Sequence, residues 1–276
     1  MKRRSARIRK NLTTRRINRA HQSSRLRTLV VGNWKMALRP SQAHRLAQEL
    51  AVQRLPVSCD IVVCPSFTAL SLVRHSLGSS RLILGAQDVF GEVRGEHTGA
   101  VAVGDLREFG CRYVILGHSE RRRDVNETDA EVNKKCLVAI GHGLSPIVCV
   151  GESRVERQRN IQTGVVARQV LRALHNLPPP RHGQEIVIAY EPIWAVGAEE
   201  PAEPEEVMTM AAVVHQALVD ALGERLTDKH TRIVYGGSVF PDNVRSFIDR
   251  QNIHGVLLGR ASQNVTTLVN LLKVLG

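Results

Sequence analysis

The chain has 276 residues, of which 43% are hydrophobic, and it carries a formal net charge of +12 at pH 7. This bulk is enough for one large core, and the length fits either two average domains or a single α/β barrel. No run of about 18 or more apolar residues occurs, so the sequence argues against a membrane-spanning helix.

The positive charge is concentrated in residues 1–27. Eleven of the 38 basic residues precede residue 28 and no acidic residue does, which leaves 27 basic against 26 acidic residues in the remainder. The excess positive charge therefore belongs to a basic extension, which is predicted to be disordered and to precede one domain of residues 28–276. Three interpretations of the extension stay open: an arm that binds nucleic acid or another polyanion, a transit peptide, or an artefact of an upstream start codon.

The five cysteines, Cys59, Cys64, Cys111, Cys136 and Cys149, show no paired short spacing. Three of them fall in or beside apolar runs. This usage predicts buried, reduced thiols in a cytoplasmic protein, and it predicts no metal site.

Eight short apolar runs predict strands at residues 28–32, 60–64, 82–86, 113–116, 146–150, 186–190, 233–235 and 256–258. Most of these runs are continuous rather than alternating, which is typical of strands buried on both faces. Segments of helical periodicity lie between them, at residues 43–50, 132–140, 165–174, 207–222 and 265–275.

A strand followed by a helix, repeated eight times, predicts parallel strands joined by right-handed crossovers. The predicted fold is an α/β protein with a single (β/α)8 barrel. A doubly wound open sheet is the rival, and a Gly-x-Gly-x-x-Gly motif after the first strand would favour it. The first strand is followed instead by Asn33-Trp34-Lys35.

Polar and glycine residues follow five of the predicted strands. Because active sites of closed barrels lie at the carboxyl ends of the strands, these residues are expected to converge on one mouth. Taken alone, a Glu before Pro, a strand-end His or a single Lys is more often structural. The residues are Asn33 and Lys35, His118, Glu191, Gly236-Gly237-Ser238, and Gly259-Arg260.

Five segments resemble the triosephosphate isomerase family in order and spacing: Asn33-Trp34-Lys35-Met36, residues 115–122, Cys149-Val150-Gly151-Glu152, residues 189–197, and Tyr235-Gly236-Gly237-Ser238. The resemblance extends over residues 28–276. It implies interconversion of glyceraldehyde 3-phosphate and dihydroxyacetone phosphate through an enediolate, as in glycolysis and gluconeogenesis. This chemistry needs neither a cofactor nor a metal ion.

The resemblance also assigns roles. Glu191 is the expected base, His118 the neutral electrophile, and Lys35 the cation beside the enediolate. Asn33 is expected to position Lys35, with Glu120 as the partner of Lys35. The expected phosphate site comprises Gly197, Gly237, Ser238, Gly259 and Arg260, with residues 192–202 as a lid that excludes water.

Residues 91–99 resemble the family's intersubunit loop. The resemblance implies a homodimer in which Thr98 reaches the neighbouring active site and Gln87 belongs to the same interface. The sequence departs from the family pattern at four places: Ala198-Glu199-Glu200-Pro201 in the lid, Arg260 beside the phosphate, Ala100, and Asp88.

Two alternative functions follow from these departures and from the basic extension. Family members that isomerise four-carbon ketose phosphates, such as erythrulose phosphates in sugar-alcohol catabolism, also carry Gly-Arg at the position of Gly259-Arg260. Arg260 could point outward or grip the phosphate with its guanidinium fork. An inactive barrel that binds polyanions through residues 1–27 is the second alternative, and the presence of Lys35, His118 and Glu191 argues against it.

Overall fold

The computed structural model describes residues 27–195, 202–249 and 251–276. Eight strands pair in chain order, all in parallel, and β1 also pairs with β8, so the sheet closes into a barrel. The barrel confirms the predicted fold against the open sheet. The strands are β1 (Thr28–Asn33), β2 (Cys59–Cys64), β3 (Ile83–Ala86), β4 (Tyr113–Leu116), β5 (Ser145–Val150), β6 (Ile186–Tyr190), β7 (Thr231–Tyr235) and β8 (Gly255–Leu258).

Helices lie between the strands and cover the barrel. They are α1 (Pro40–Ala51), α2 (Leu70–Leu77), α3 (Val103–Glu108), α4 (Ser119–Asp124), α5 (Asp129–Gly141), α6 (Arg154–Gln158), α7 (Gln162–Ala173), α8 (Pro204–Leu222), α9 (Glu224–His230), α10 (Val244–Phe247) and α11 (Val265–Leu275). The five periodic segments correspond to α1, α5, α7, α8 and α11. The other helices span only one or two turns, too few for a clear periodic pattern.

The strands separate two hydrophobic cores. Alternate strand residues fill the barrel interior, among them Val31, Ile115, Ile147 and Leu257. The residues between them pack outward against the helices. Burial on both faces explains why the strands read as continuous apolar runs. All five cysteines are buried and free, as predicted.

The interior ends in a charged cluster at the amino ends of the strands, made of Arg232, Glu185, Asp60 and Tyr113 and here called the amino-end cluster. Arg232 Nε donates to Glu185 Oε2 at 2.6 Å, Nη1 donates to Asp60 Oδ2 at 3.1 Å, and Nη2 donates to the Tyr113 hydroxyl at 3.2 Å. The Tyr113 hydroxyl in turn donates to Glu185 Oε1.

This cluster explains a difference in strand bounds. β7 begins at Thr231, two residues before the start predicted from the sequence. The prediction left out Thr231 and Arg232 because both are polar and precede the apolar run. Both side chains point into buried surroundings and find partners there: the Thr231 hydroxyl donates to the carbonyl of Thr227 at 2.7 Å, and Arg232 joins the cluster.

Among the described residues, none of the helices is both long and apolar enough to cross a lipid bilayer.

Candidate active site

A cavity of about 420 Å³ opens at the carboxyl ends of the strands. Its walls bring together nearly all the residues singled out in the sequence: Asn33, Lys35, His118, Glu120, Glu191, Gly237, Ser238, Gly259 and Arg260. Gly197, the remaining predicted phosphate ligand, lies outside the described residues, as do the altered positions 198–201.

Glu191 directly follows β6 and is only 3% exposed. Its backbone N–H donates to the carbonyl of Val150 at 2.7 Å. A Cβ added at Gly236 would lie 2.6 Å from Glu191 Cγ, and one added at Gly151 would lie 1.8 Å from the Glu191 carbonyl oxygen. The Glu191 side chain is therefore packed against Gly236 and its backbone against Gly151, two positions that must lack side chains. In the described part of the chain its Oε2 has no hydrogen-bond partner.

His118 ends the loop after β4 and caps α4. Its Nδ1 accepts a hydrogen bond from the backbone N–H of Glu120 at 3.2 Å, so Nδ1 carries no proton. With Nδ1 as the acceptor, Nε2 is the ring nitrogen left to donate, and it lies 3.4 Å from Glu191 Oε1. The capping contact thus selects the tautomer that presents an N–H group to the cavity.

Lys35 follows β1 in a left-handed conformation, with φ of 51°, which is sparsely populated for a residue with a side chain. Its backbone N–H donates to Asn33 Oδ1 at 3.0 Å. Its Nζ donates to Glu120 Oε1 at 2.6 Å. Asn33 therefore holds the turn, and the turn directs the ammonium group toward the carboxylate at the start of α4.

The segments after β7 and β8 form the part of the cavity wall between Glu191 and Lys35. A Cβ at Gly237 would lie 2.0 Å from the Tyr235 hydroxyl oxygen, so only glycine fits there. The Ser238 hydroxyl donates to the carbonyl of Ala195 at 3.2 Å. Gly259 faces Lys35, and the exposed Arg260 begins the 3₁₀ helix Arg260–Gln263 at the rim. Small residues thus leave room beside Lys35.

Sequence reasoning missed the role of Glu152, which is completely buried. It accepts hydrogen bonds from the Trp194 indole at 2.8 Å, from the Tyr190 hydroxyl at 3.1 Å and from Arg157 Nη1 at 3.2 Å. Burial and the adjacent Glu152 raise the pKa of Tyr190, which keeps its hydroxyl a donor. Glu152 therefore anchors both sides of Glu191. Its segment, Cys149-Val150-Gly151-Glu152, was visible in the sequence, but these partners were not.

Gln87 and Thr98 are not among the residues that line the cavity. Gln87 Nε2 donates to the carbonyls of Lys35 and Cys64, both at 2.9 Å, and so links the ends of β1 and β2. Thr98 is exposed on residues 91–99. Their predicted role in a dimer interface stays a prediction.

Asp88, one of the departures from the family pattern, joins a buried ion-pair network. Its carboxylate accepts from Lys135 Nζ at 2.7 Å and lies 2.8 Å from Arg121 Nη2. Glu127 bridges the same two basic residues. In the ranges that the structure describes, no group of three or more His, Cys, Asp or Glu side chains could hold a metal ion.

Comparison with known proteins agrees with this geometry. A family model described as triosephosphate isomerase matches residues 28–275. The triosephosphate isomerase of Chloroflexus aurantiacus is 41% identical over 245 residues, which cover 88% of this chain and 97% of the relative. That of Carboxydothermus hydrogenoformans is 40% identical with the same coverage. That of Moorella thermoacetica is 41% identical over 236 residues, 86% of this chain and 94% of the relative. The chain belongs to the triosephosphate isomerase family.

Proposed function

We propose that this protein interconverts glyceraldehyde 3-phosphate and dihydroxyacetone phosphate by moving a proton between adjacent carbons through an enediolate. One observation carries the proposal: a buried carboxylate, Glu191, lies 3.4 Å from Nε2 of His118, in a cavity that also contains Lys35. A base, a hydrogen-bond donor and a cation are the groups that such a proton transfer requires.

Glu191 is the base. It takes a proton from the substrate carbon next to the carbonyl group and returns it to the neighbouring carbon. Its burial keeps water away from the carboxylate, which strengthens its interaction with the substrate, and its unpartnered Oε2 has no hydrogen bond to lose when it accepts the proton.

His118 and Lys35 stabilise the charge that develops on the substrate oxygens. Nε2–H of His118 donates to the carbonyl oxygen as it becomes an enediolate oxygen, and the ammonium group of Lys35 attracts the same negative charge. Asn33 keeps Lys35 in its left-handed turn. Glu120 holds the ammonium group until the phosphorylated substrate competes for it.

The phosphate group of the substrate binds at the segments after β7 and β8. Backbone N–H groups of Gly237, Ser238 and Gly259 are suited to it because the missing or small side chains let the anion approach the chain closely. Gly197, with residues 192–202 as a closing segment, completes this proposed site.

A homodimer is part of the proposal. A second cavity of about 470 Å³ lies beside Asp88 and Arg121, at the base of residues 91–99. Exposed apolar side chains include Phe67, which lines this cavity and is 37% exposed, Val93 on residues 91–99, which is 49% exposed, and Met36 after β1, which is 94% exposed. Sedimentation of the full chain should give the mass of two protomers, and a monomer at micromolar concentration would contradict this part of the proposal. A cytoplasmic location, as expected from the reduced thiols, is also proposed.

A four-carbon ketose phosphate is the second candidate substrate. The observation that favours it is Arg260, whose side chain lines the substrate cavity at its rim. A guanidinium group there can contact a phosphate placed farther from the reacting carbons, as in a longer substrate.

The test is kcat/KM of the full chain for glyceraldehyde 3-phosphate beside that for an erythrulose phosphate, at equal ionic strength. A triose value near the diffusion-limited range of about 10⁸ M⁻¹s⁻¹ supports the proposed function. A weak triose value with a stronger tetrulose value favours the second candidate. Activity on neither substrate contradicts both.

Arg260→Gly separates the two candidates further. If Arg260 sets the substrate preference, the variant should turn over the triose phosphate faster relative to the tetrulose phosphate. A one-carbon preference corresponds to about 1 to 3 kcal/mol, so the ratio of the two kcat/KM values should change by roughly 10- to 200-fold. An unchanged ratio would reject that role for Arg260.

A further inference from the structure

Arg122 lies in the wall of the substrate cavity but has no role in the mechanism above. Its side chain is 17% exposed. Nε donates to the carbonyl oxygen of Gly117 at 2.9 Å, and Nη1 donates to Asp129 Oδ1 at 2.6 Å. Nη2 is buried and has no hydrogen-bond partner among the described residues. Arg122 is thus bound to the backbone immediately before His118.

Gly117 occupies a conformation that requires glycine. Its φ is 68°, and a Cβ there would lie 2.9 Å from Val132 Cγ2 and 3.0 Å from Arg122 Nη2. Its backbone N–H donates to Glu127 Oε2 at 3.0 Å. The two peptide planes on either side of this glycine are therefore each fixed by a charged side chain, Glu127 on the N–H side and Arg122 on the carbonyl side.

Glu127 is ionised under ordinary conditions and so accepts this bond strongly. Burial opposes its ionisation, but the hydrogen bonds and charges of Lys135 and Arg121 outweigh burial and lower the pKa of the Glu127 carboxyl. The carboxylate of Asp129 forms an ion pair with Arg122 and so balances its positive charge. Charge-assisted hydrogen bonds of this kind are roughly twice as strong as neutral ones.

The peptide plane held by Arg122 is the one that joins Gly117 to His118. The buried His118 ring makes polar contacts with two residues: its Nδ1 accepts from the Glu120 backbone and lies 3.6 Å from Glu120 Oε2, and its Nε2 faces Glu191. A rotation of the 117–118 peptide would shift both the start of α4 and the ring. A displacement of about 1 Å in a catalytic group can cost about 10²-fold in rate.

We propose that Arg122, acting with Glu127 on the peptides of Gly117, is a positioning residue that aims His118 Nε2 into the cavity and toward Glu191. The consequence for turnover rests on the proposed isomerase function. The effect on the His118 ring does not, because the ring can be observed without substrate.

The experiment compares Arg122→Gln with two controls in the full chain. Asp129→Asn removes the other partner of Arg122 but leaves the bond to Gly117 intact. Arg123→Gln changes the neighbouring arginine, which also lines the cavity but is exposed and paired with Asp124 on the same helix, so this variant controls for the loss of one positive charge there. We measure kcat, KM, the melting temperature and the ¹⁵N signals of the His118 ring.

Arg122→Gln should lower kcat by roughly 10- to 100-fold, with KM within about threefold of wild type. Asp129→Asn should lower the melting temperature while kcat stays within about threefold, and Arg123→Gln should leave the melting temperature unchanged. The ¹⁵N signals of His118 should show a single tautomer, protonated at Nε2, in wild type and in both controls, and a tautomer mixture in Arg122→Gln.

Three results would overturn the proposal: a kcat of Arg122→Gln within threefold of wild type, an equal loss of kcat in Asp129→Asn, or unchanged His118 signals in Arg122→Gln. If Arg122→Gln does not fold, Arg122→Lys decides, because it keeps the charge and loses the planar fork. A kcat loss of threefold or more with altered His118 signals supports the proposal, and wild-type values overturn it. A wild-type protein without isomerase activity would contradict the proposed function, and the His118 signals would still test the positioning role.

Discussion

The two ends of the barrel both bury charged groups, but they differ in how completely those groups are paired. At the amino end, Arg232 donates to Glu185, Asp60 and Tyr113, and Nη1 also donates to the carbonyl of Arg27 at 3.1 Å. At the carboxyl end, Glu191 Oε2 and Arg122 Nη2 are buried without partners in the described part of the chain.

Lys35, also at the carboxyl end, adopts a left-handed backbone conformation. An unsatisfied buried polar group costs about 1 to 3 kcal/mol, and a strained backbone conformation costs a similar amount. We infer that the paired charges at the amino end stabilise the fold, whereas the carboxyl end leaves polar groups unpaired and available to a ligand, at some cost in stability.

The largest expected effect is the loss of kcat when the proposed base at the carboxyl end is replaced. Glu191→Gln removes the proposed base, so kcat should fall by about 10²- to 10⁴-fold. The melting temperature should stay the same or rise, since the variant no longer buries a charged carboxylate with an unpartnered oxygen. Steady-state kinetics and thermal unfolding check both parts. Retention of more than about a tenth of the wild-type kcat would remove Glu191 as the base.

The opposite pattern is expected at the amino end. Arg232→Met leaves the partly buried carboxylates of Glu185 and Asp60 without their main partner, which should lower the free energy of unfolding by up to about 3 to 5 kcal/mol. Because Arg232 is far from the cavity walls, kcat at a temperature where the variant stays folded should match wild type.

Denaturant unfolding measures this loss. The double variant Arg232→Met/Glu185→Leu serves as the control, because it removes an unpaired carboxylate and should recover part of the stability. A fully stable Arg232→Met variant would break the comparison between the two ends.

A smaller loss of kcat is expected when an added methyl group displaces the side chain of the proposed base. In Gly236→Ala the new Cβ would lie 2.6 Å from Glu191 Cγ, so the Glu191 side chain must shift. We expect a kcat loss of roughly tenfold, because the base leaves its productive position. Gly164→Ala is the matched control, since a Cβ at this position in α7 meets nothing within 4 Å. Equal kcat values for both variants would show that the base tolerates displacement.

The smallest expected effect is on the pH dependence of folding stability, through a histidine at the amino end. Burial and the charge of Arg232 lower the pKa of His254, whose Nδ1 accepts from the backbone N–H of Ile233 at 3.0 Å. Below the ordinary histidine pKa of about 6.5 the unfolded chain then binds a proton that the folded chain does not. Stability should therefore decrease as pH falls from about 6.5 toward the lowered pKa.

The variant His254→Asn keeps an acceptor for the Ile233 N–H group and should lack this part of the acid-induced loss. Urea unfolding between pH 7 and pH 5 measures the difference between the two proteins. Identical pH profiles would exclude His254 as the cause.

The sequence predicted the barrel well because strand burial and strand order are local patterns. Runs such as residues 113–116 and 186–190 match the observed strands residue for residue. The rule that polar groups after parallel strands share one end then placed Lys35, His118 and Glu191 around one cavity. No pairing between distant residues had to be known for either step.

The parts that were not predicted depend on contacts between residues far apart in the chain. Glu152 and Trp194 are separated by 42 positions, and Arg232 and Asp60 by 172. A charged residue in an apolar run, such as Arg232, shortens the predicted strand because the sequence does not reveal its buried partner. The bond between Arg122 and Gly117 spans only five residues, but it depends on the positive φ of Gly117, which residue type alone does not specify.

The buried cysteines make the two ends separately measurable. Burial raises the pKa of Cys111 and Cys136 to about 12, and it raises that of Cys64 and Cys149 well above its usual range. Thiols in this state react with alkylating agents only when the surrounding structure opens. Cys149 lies near Glu191, and Cys59 begins β2 beside the amino-end cluster. The alkylation rate of Cys149 therefore reports how often the carboxyl end opens, and that of Cys59 how often the amino end opens. The barrel therefore carries its own probes for how often each end opens.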